Sequence, residues 1–274
     1  MTVVTRTSLR RLPGYIFLTI AAIVSVFPLY FMLVSATNTS REVISSKLTP
    51  GGNLINNYNA LMASQQSLWV AFRQSTIIAV VTTVLALLIC SIAGYGFEVF
   101  HSRGKDRLMA VLLLAIMIPF AATMIPLFQM FAGLNMVNSV MAVVLPAVAT
   151  PFLILLFRQS ARNFPHEIIE AARIDGLSEI AIFFKIFIPT MRSAYAAAAV
   201  ITFMAAWNNF LWPKVILINS QFQTIPMMIS NLTAGYVTDF GVLMLAVTIA
   251  TLPTIFVFLA LQRVFAEGIT GAIK

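Results

Sequence analysis

Long apolar runs dominate the pattern of hydrophobic and polar positions along the chain. Runs without Asp, Glu, Lys or Arg cover residues 14–36, 74–97, 108–131, 140–157, 193–212 and 240–262. Each run is close to the about 20 residues with which a helix crosses about 30 Å of hydrocarbon. The pattern therefore predicts an all-α integral membrane protein with six transmembrane helices, forming a single domain over residues 1–274.

Composition supports this interpretation, because 60% of the residues are apolar and only 9% are charged. A soluble domain cannot cover so much apolar surface with its own polar residues. The first run follows Arg6, Arg10 and Arg11, as the core of a signal peptide would. It exceeds the about 7–15 residues of such cores and lacks a small-x-small cleavage site, so we expect it to be retained as a helix.

The basic residues are distributed unevenly over the predicted loops. If the N-terminus is cytoplasmic, all 17 Lys and Arg residues lie on the cytoplasmic side except Arg41, Lys47, Arg73 and Lys214. Because cytoplasmic loops carry an excess of Lys and Arg, we expect both termini to be cytoplasmic. The net charge of +8 then reflects orientation in the membrane. We expect membrane lipid and no nucleic acid among the partners, since the sequence has no basic stripe with interleaved aromatic residues.

Several kinds of chemistry have little support in the sequence. The apolar runs hold no interior carboxylate of the kind that proton-coupled carriers keep at membrane depth. No G-x-x-x-x-G-K-[ST] loop is present for nucleotide binding. His101, His166 and the single cysteine, Cys90, do not have metal-ligand spacing. We therefore expect no catalytic residue, metal or cofactor, and any ATP must be hydrolysed by another polypeptide.

One polar, amphipathic stretch lies between the fourth and fifth apolar runs. Pro165 suits the start of a helix, and Glu167 and Glu170 favour the positive end of its dipole. Gly176 can end that helix in a left-handed conformation, and Ser178 can cap a second helix. The stretch is predicted to be helix, turn, helix. On the pattern alone, an amphipathic segment lying on the membrane surface explains it about as well.

The spacing within this stretch resembles a known signature. Glu170-Ala171-Ala172 is followed after three residues by Gly176, then after nine by Ile186, and then by Ile188-Pro189. This is similar to the EAA motif of the membrane subunits of ABC importers, with Ile188 in place of the usual Leu. The resemblance implies the type I ABC importer permease fold, with a cytoplasmic coupling loop at residues 158–193, between spans 4 and 5, whose short helix docks in a cleft of the ATPase. It assigns ATPase coupling to Glu170, to Ala171 and Ala172, whose small side chains allow close approach, and to Asp175 and Gly176.

The resemblance extends over most of the chain. The segment 207–213, Gln262-Arg263 and the ending 268–274 resemble the shorter permease subunit of maltose-type carbohydrate importers. Ser193 departs from that family, where many relatives place a proline. The resemblance implies a second permease in a pseudo-twofold heterodimer, two copies of an ABC ATPase subunit, a periplasmic or extracellular sugar-binding protein, and a bacterial inner membrane. The residues after Glu267 resemble tails that reach the ATPase interface, with a disordered terminus as the alternative.

Outer loops and span ends supply the candidate contacts for a sugar. The loops at residues 37–72 and 219–239 are the surfaces available to a binding protein. A sugar path needs neutral hydrogen-bonding groups, because a hydroxyl left unpaired in a dry site costs about 1–3 kcal/mol. The amide side chains near the span ends could equally well form hydrogen bonds to the helices of a sister subunit. The candidate path residues are Gln129, Trp207, Asn208 and Asn209.

Two further expectations concern aromatic residues and prolines in the spans. Trp207 and Trp212 are expected chiefly as anchors at the membrane interface. Pro119, Pro126 and Pro146 are expected to kink or break helices, either around a gated cavity or as ordinary packing kinks. The functional prediction is a permease subunit of an ATP-driven importer of a di- or oligosaccharide or a glycerol-phosphate-type compound. The alternative is a freestanding channel or secondary carrier working as a homo-oligomer.

Overall fold

A computed structural model describes residues 4–64, 67–235 and 237–271. Throughout these residues the chain forms helices and no β-strand, which confirms the all-α class. Short 3-10 turns lie at Leu145–Ala147 and Ser220–Phe222, and a π-helical turn lies at Phe183–Phe187. The α-helices are α1 (Val4–Ser35), α2 (Ser40–Ile44), α3 (Leu54–Ala63), α4 (Leu68–Val99), α5 (Arg103–Ala115), α6 (Phe120–Gly133), α7 (Val140–Val144), α8 (Pro151–Arg162), α9 (His166–Ile174), α10 (Glu179–Ile182), α11 (Ile188–Thr190), α12 (Arg192–Trp207), α13 (Leu211–Ile216), α14 (Ile225–Leu232) and α15 (Phe240–Gly271).

The membrane spans are of two kinds, continuous and bent. Four helical segments are long and apolar enough to cross a bilayer by themselves, and two bent pairs, α5 with α6 and α7 with α8, bring the number to six if each pair is one span. These four segments are Pro13–Ser35, Leu68–Val99, Arg192–Ile216 and Phe240–Arg263, of which Arg192–Ile216 comprises α12 and α13. The third span, predicted over residues 108–131, is therefore broken, in agreement with the expectation that Pro119 kinks or breaks a helix. It breaks between Ala115 and Phe120, where the two helix axes differ by 100°.

Prolines account for both bends. Pro119 is the residue before α6, and it has no N–H with which to continue α5 into α6. Pro146 lies in the 3-10 turn between α7 and α8, and Pro151 is the first residue of α8. The α7 and α8 axes differ by 48°. Pro126 differs from these, because it lies inside α6, which continues to Gly133.

The chain separates into two compact units, of which the first combines Met1–Leu68 with Ile229–Thr251. Its centre is Asn57, a buried residue of α3. The Asn57 amide donates hydrogen bonds of 2.9 Å to the carbonyls of Ala36 and Asn38, just after α1. A Cβ on Gly241 would lie 2.5 Å from the Asn38 carbonyl oxygen, so only glycine allows α15 to approach so closely. Asp239 precedes α15 and accepts hydrogen bonds from the Gly241 and Val242 amides.

The second unit combines Trp69–Met228 with Leu252–Lys274. Two features of its core depend on tertiary hydrogen bonds. Trp212 is buried, and its Nε1 donates to the Ala142 carbonyl at 2.8 Å, which satisfies the indole N–H. Cys90 is also buried, and its Sγ lies 3.3 Å from the Val148 carbonyl oxygen at the break between α7 and α8. The Cys90 thiol therefore donates a hydrogen bond to a backbone carbonyl at the break in the helix.

Candidate functional site

The coupling loop contains the predicted helix, turn and helix. The helix α9 begins one residue after Pro165, and Gly176 ends it with φ of +79°, as predicted. The Gly176 amide bonds the Arg173 carbonyl and the Leu177 amide bonds the Ala172 carbonyl, both at 3.0 Å. These two bonds are the Schellman pattern that closes a helix at a left-handed glycine. Ser178 then caps α10 through a hydrogen bond from the Ala181 amide.

One face of the loop packs against the chain itself. Ile169 and Ala172 of α9 are buried with Ile182, Phe187 and Tyr95 of α4 in an aromatic cluster, which we call the loop core. The π-helical turn widens just ahead of Pro189, which has no N–H to donate. The Phe187 ring centre lies 4.9 Å from the Tyr95 ring, 5.7 Å from Phe183 and 5.8 Å from Phe164. The loop core therefore fixes α9 to the end of α4.

The opposite face of α9 is exposed and mixes charged with apolar side chains, of which Ile174 is the most exposed. Glu170, Ala171, Asp175 and Gly176 are exposed, and Ile174 between them is 86% exposed. Ala172 does not share this face, because it is 5% exposed within the loop core. This corrects the expectation that the small Ala172 side chain allows an ATPase to approach. Its size instead allows α9 to lie close against the rest of the chain.

An ion pair holds the turn after α9. Arg173 Nε donates to Glu179 Oε1 at 2.6 Å across the turn that contains Gly176. This hydrogen bond raises the pKa of the Arg173 guanidinium, which carries its charge at any physiological pH in either case. Because both side chains are about 40% exposed, the pair contributes roughly 0.2–1 kcal/mol. Its effect is to tie the end of α9 to the start of α10 across the turn.

The predicted path residues divide between a cavity and the core. Asn208 and Asn209 line a cavity of about 530 Å³ with Thr150 and Trp212, whereas Gln129 is exposed on α6 and is not in its wall. The other residues around this cavity are Phe120, Val143, Pro146, Ala147, Ala205, Phe210 and Leu211. The described wall has no charged side chain. We name this space the asparagine cavity.

Trp207 lies in the core instead of the cavity wall. It is 2% exposed and its ring packs on Phe203 and Phe72, with ring centres 5.8 and 5.7 Å away. Trp212 is 1% exposed and, as described above, bonded to Ala142. The expectation that both tryptophans anchor the chain at the membrane interface is therefore wrong, because neither ring is available to headgroups. Tertiary packing determines that both tryptophans are buried, and no local sequence pattern indicates this burial.

Sequence reasoning missed a group of threonines beside the asparagine cavity. A neighbouring cavity of about 270 Å³ shares Thr150 and Asn209 with it and adds Thr82 and Thr202. Thr202 Oγ1 is buried without a hydrogen-bond partner in the described part of the chain. The three threonines come from α4, α12 and the residue before α8. The only available signal was a hydroxyl inside an apolar run, which is too common in membrane helices to be selective.

Comparisons with known proteins agree with the EAA motif. The family model described as "Binding-protein-dependent transport system inner membrane component" matches residues 86–271, more than half of the chain. A lactose transport system permease protein LacG from Rhizobium radiobacter is 44% identical over 268 residues, covering 97% of this chain and 98% of that protein. An arabinooligosaccharides transport system permease protein AraQ from Bacillus subtilis is 31% identical, covering 97% of each chain. An sn-glycerol-3-phosphate transport system permease protein UgpE from Salmonella typhi is 30% identical, covering 92% of each.

A solved structure supports the fold independently of these sequences. One chain of a bacterial ABC transporter involved in the import of the acidic polysaccharide alginate superposes with a TM-score of 0.81, covering 93% of this chain and 96% of that chain. At 18% identity, this likeness concerns the fold alone. Family match and relatives together show that the chain is a transport permease that belongs to the family of inner-membrane components of binding-protein-dependent transport systems.

Proposed function

We propose that the chain is one of two related permeases in an ATP-driven, binding-protein-dependent importer of a neutral di- or oligosaccharide. A second permease completes the translocation path as a pseudo-twofold partner. Two copies of an ABC ATPase dock beneath the pair, and a periplasmic or extracellular sugar-binding protein delivers the solute. The observation that carries this proposal is the two-sided helix α9, packed on the chain by one face and exposing Glu170, Ile174 and Asp175 on the other.

The exposed face of α9 indicates what kind of surface it meets. Ile174 is almost fully exposed among charged residues, and burying an isoleucine side chain stabilises a complex by about 1.5–3 kcal/mol. Glu170 and Asp175 lie beside it, while Arg173 is directed towards Glu179. An apolar socket with basic residues at its rim therefore complements this face. We assign that socket to the ATPase and the position of α9 to the cytoplasmic side.

The orientation follows from the same assignment. With α9 on the cytoplasmic side, the N-terminus and C-terminus are also cytoplasmic if the bent pairs each cross the membrane once. The excess of Lys and Arg on that side agrees with the positive-inside rule, and the membrane is a bacterial inner membrane. In a freestanding homo-oligomeric channel or carrier, by contrast, the exposed face of α9 has no function.

The asparagine cavity supports a neutral sugar as the solute. Its volume of about 530 Å³ falls within the roughly 300–1,000 Å³ typical of small-molecule sites. Asn208, Asn209 and Thr150 offer neutral donors and acceptors for hydroxyl groups, and the aromatic rings of Phe120 and Phe210 offer flat apolar surface. An anionic solute calls for Arg or Lys, which this wall lacks. Among the relatives, the lactose and arabinooligosaccharide permeases are thus better guides than the glycerol-phosphate permease.

Affinity purification in mild detergent tests the assembly. The tagged wild-type chain is expected to retain an ATPase and a second permease, and Glu170→Lys is expected to lose the ATPase but keep the permease. Arg162→Glu is the control, because it reverses an exposed charge on α8, outside the exposed face of α9. Recovery of the wild-type chain alone under every mild condition would favour a freestanding channel or carrier.

Uptake measurements test the path. Asn208→Ala and Asn209→Ala are expected to raise KM or lower the maximal rate for the transported sugar, because each removes hydrogen-bonding groups from the asparagine cavity. Gln129→Ala is the matched control, an amide removed from an exposed position outside that wall. Equal effects of all three substitutions would show that the cavity is not the path.

A further inference from the structure

Three helix ends meet at one arginine near the start of the coupling loop. Arg158 lies in α8, one turn before that helix ends at Arg162. Its Nε donates to Glu98 Oε2 at the end of α4, at 3.0 Å. Its Nη2 donates to Asp106 Oδ1 in the first turn of α5, at 2.6 Å. The guanidinium thus joins α8 to α4 and α5 at once, using two separate edges of its planar fork.

Further hydrogen bonds hold the groups around Arg158 in place. The second Asp106 oxygen is held by His101 Nε2 at 2.8 Å. Lys105 Nζ donates to the carbonyls of Gly96 and Phe100 at 2.9 and 2.6 Å, which fastens the connection between α4 and α5 to the end of α4. These contacts hold Asp106, at the start of α5, close to the end of α4. We call Arg158, Glu98, Asp106 and His101 the ion junction.

Beside the ion junction, the backbones of α4 and α8 touch. A Cβ on Gly94 would lie 2.6 Å from Phe157 Cβ, 2.7 Å from the Arg158 amide nitrogen and 2.8 Å from the Ile154 carbonyl oxygen. Such a contact leaves no space for one helix to shift against the other without separating. The end of α8 continues into the loop core through Ala161 and Phe164. A displacement of α9 is therefore passed to α8 and α4 together.

The ion junction costs more free energy to bury than apolar packing at the same place would. Arg158 and Glu98 are only 15% and 14% exposed, and taking charges out of water costs free energy that apolar residues of the same size do not incur. Apolar contacts already hold α5 to α8, through Met109 with Leu153 and Phe157. The distinctive property of the charged group is that it fixes the angle and register of three helix ends.

We propose that Arg158 is a positioning residue of the transport cycle, which makes α4, α5 and α8 follow the coupling helix as one body. The inference rests on the proposed function, since it assumes that α9 receives its displacement from an ATPase. Because α5 leads directly into the 100° bend and α6, a displacement carried by Asp106 reaches the membrane segment beyond the bend. Without the guanidinium fork, the ATPase still binds and hydrolyses ATP while the spans follow incompletely.

The test uses the complete importer reconstituted in liposomes, with sugar uptake and ATP hydrolysis measured on the same samples. For Arg158→Gln we expect uptake per ATP to fall by at least about five-fold, the lower end of typical coupling between two sites. For Arg158→Lys we expect an uptake per ATP between those of the wild type and Arg158→Gln, because a lysine ammonium is a point charge and lacks the planar fork. Arg162→Gln is the matched control, an exposed arginine one turn further along α8 whose loss leaves uptake per ATP unchanged.

Single-arm variants keep the test decisive if Arg158→Gln fails to assemble. Glu98→Gln and Asp106→Asn each remove one carboxylate charge from the ion junction, and we expect each to lower uptake per ATP less than Arg158→Gln. Unchanged uptake per ATP in assembled Arg158 and Asp106 variants would overturn the proposal, as would an equal loss with Arg162→Gln. Copurification of the ATPase separates the two hypotheses. Its absence from the wild-type chain contradicts the proposed function, whereas its presence with unchanged coupling contradicts only the role of Arg158.

Discussion

The helix α1 and the coupling loop both expose apolar side chains, but for opposite physical reasons. Over residues 13–30, α1 is largely apolar on all sides and every residue is exposed, with Phe17 71% and Val24 65% exposed. The coupling loop buries a set of aromatic and aliphatic residues in the loop core and exposes others, of which Ile174 is the most exposed and lies among charges. Exposure on α1 thus matches a hydrocarbon solvent or a second permease. Exposure of Ile174 matches a protein socket in water.

The difference teaches where each region obtains its stability. The loop depends on its own packing, because its aromatic residues contact one another and the end of α4. The α1 span depends on what surrounds the chain, since few of its side chains contact other parts of it. Identical substitutions in the two regions should therefore have different consequences, and such matched pairs test the comparison directly.

The largest difference is expected for phenylalanine truncation. Phe187→Ala should destabilise the protein by about 3–5 kcal/mol, because Phe187 is fully buried among three rings. Phe17→Ala on α1 should have a much smaller effect on the purified chain, since its ring is mostly exposed. Thermal unfolding in the same detergent measures both. Similar decreases of Tm would show that α1 is packed as tightly as the loop core.

A charged substitution should impair membrane insertion when it lies in α1 and should not do so when it lies in the coupling loop. Val24→Asp, near the middle of α1, should oppose membrane insertion by about 2.5–3.5 kcal/mol. Ile174→Asp should leave insertion intact, because Ile174 lies outside the spans, and should instead weaken ATPase copurification. Resistance of the chain to extraction by alkaline carbonate measures insertion. A loss of insertion with Ile174→Asp would contradict the placement of α9 in water.

Glycine substitutions should differ in sign. Gly176→Ala forces a Cβ into the left-handed conformation at φ of +79° and should cost about 1–2 kcal/mol, although the space around it is open. Gly14→Ala, in α1 and equally open, should be neutral or stabilising by up to about 1 kcal/mol, since alanine favours helices. Thermal unfolding compares them. Destabilisation by Gly14→Ala would reveal a partner against α1 even in detergent.

The smallest effects are expected for single polar contacts. Glu179→Gln removes the ion pair with Arg173 and should cost about 0.2–1 kcal/mol at low salt, and less at high salt. Tyr30→Phe on α1 removes a hydrogen bond to the Leu48 carbonyl and should cost about 0.5–1.5 kcal/mol at either salt concentration. Unfolding at two salt concentrations distinguishes them. A salt-independent Glu179→Gln would show that Glu179 acts through packing.

The parts of the fold that depend on local chemistry were predictable. Apolar runs indicated the spans, Gly176 indicated the end of α9, and Ser178 indicated the cap of α10. Pro119 was expected to kink or break a helix, but the 100° angle was not predictable, because the outcome at a proline inside an apolar run depends on packing. The helix α15 also runs to Gly271, so the described residues after Glu267 are helical instead of a flexible tail, and residues 272–274 lie outside the described chain.

The site was predictable to a similar degree. The EAA spacing selected α9, and the adjacent Asn208 and Asn209 both line the asparagine cavity, although their contact with a sugar stays a prediction. The buried side of Ala172, the packing of Trp207 and the threonines around the cavity depend on residues far away in sequence. Their positions are set by tertiary contacts, which no local pattern records.

The setting of Cys90 makes the chain convenient for chemical labelling. It is the single cysteine, it is fully buried, and its sulfur rests on the Val148 carbonyl. A maleimide reagent added to membranes should therefore react with an exposed cysteine introduced elsewhere, with little background from Cys90. Serine at this position would still offer a donor to the Val148 carbonyl, so a cysteine-free version needs one conservative exchange. Distances between labelled helix ends could then be followed through the ATP cycle in an otherwise native sequence.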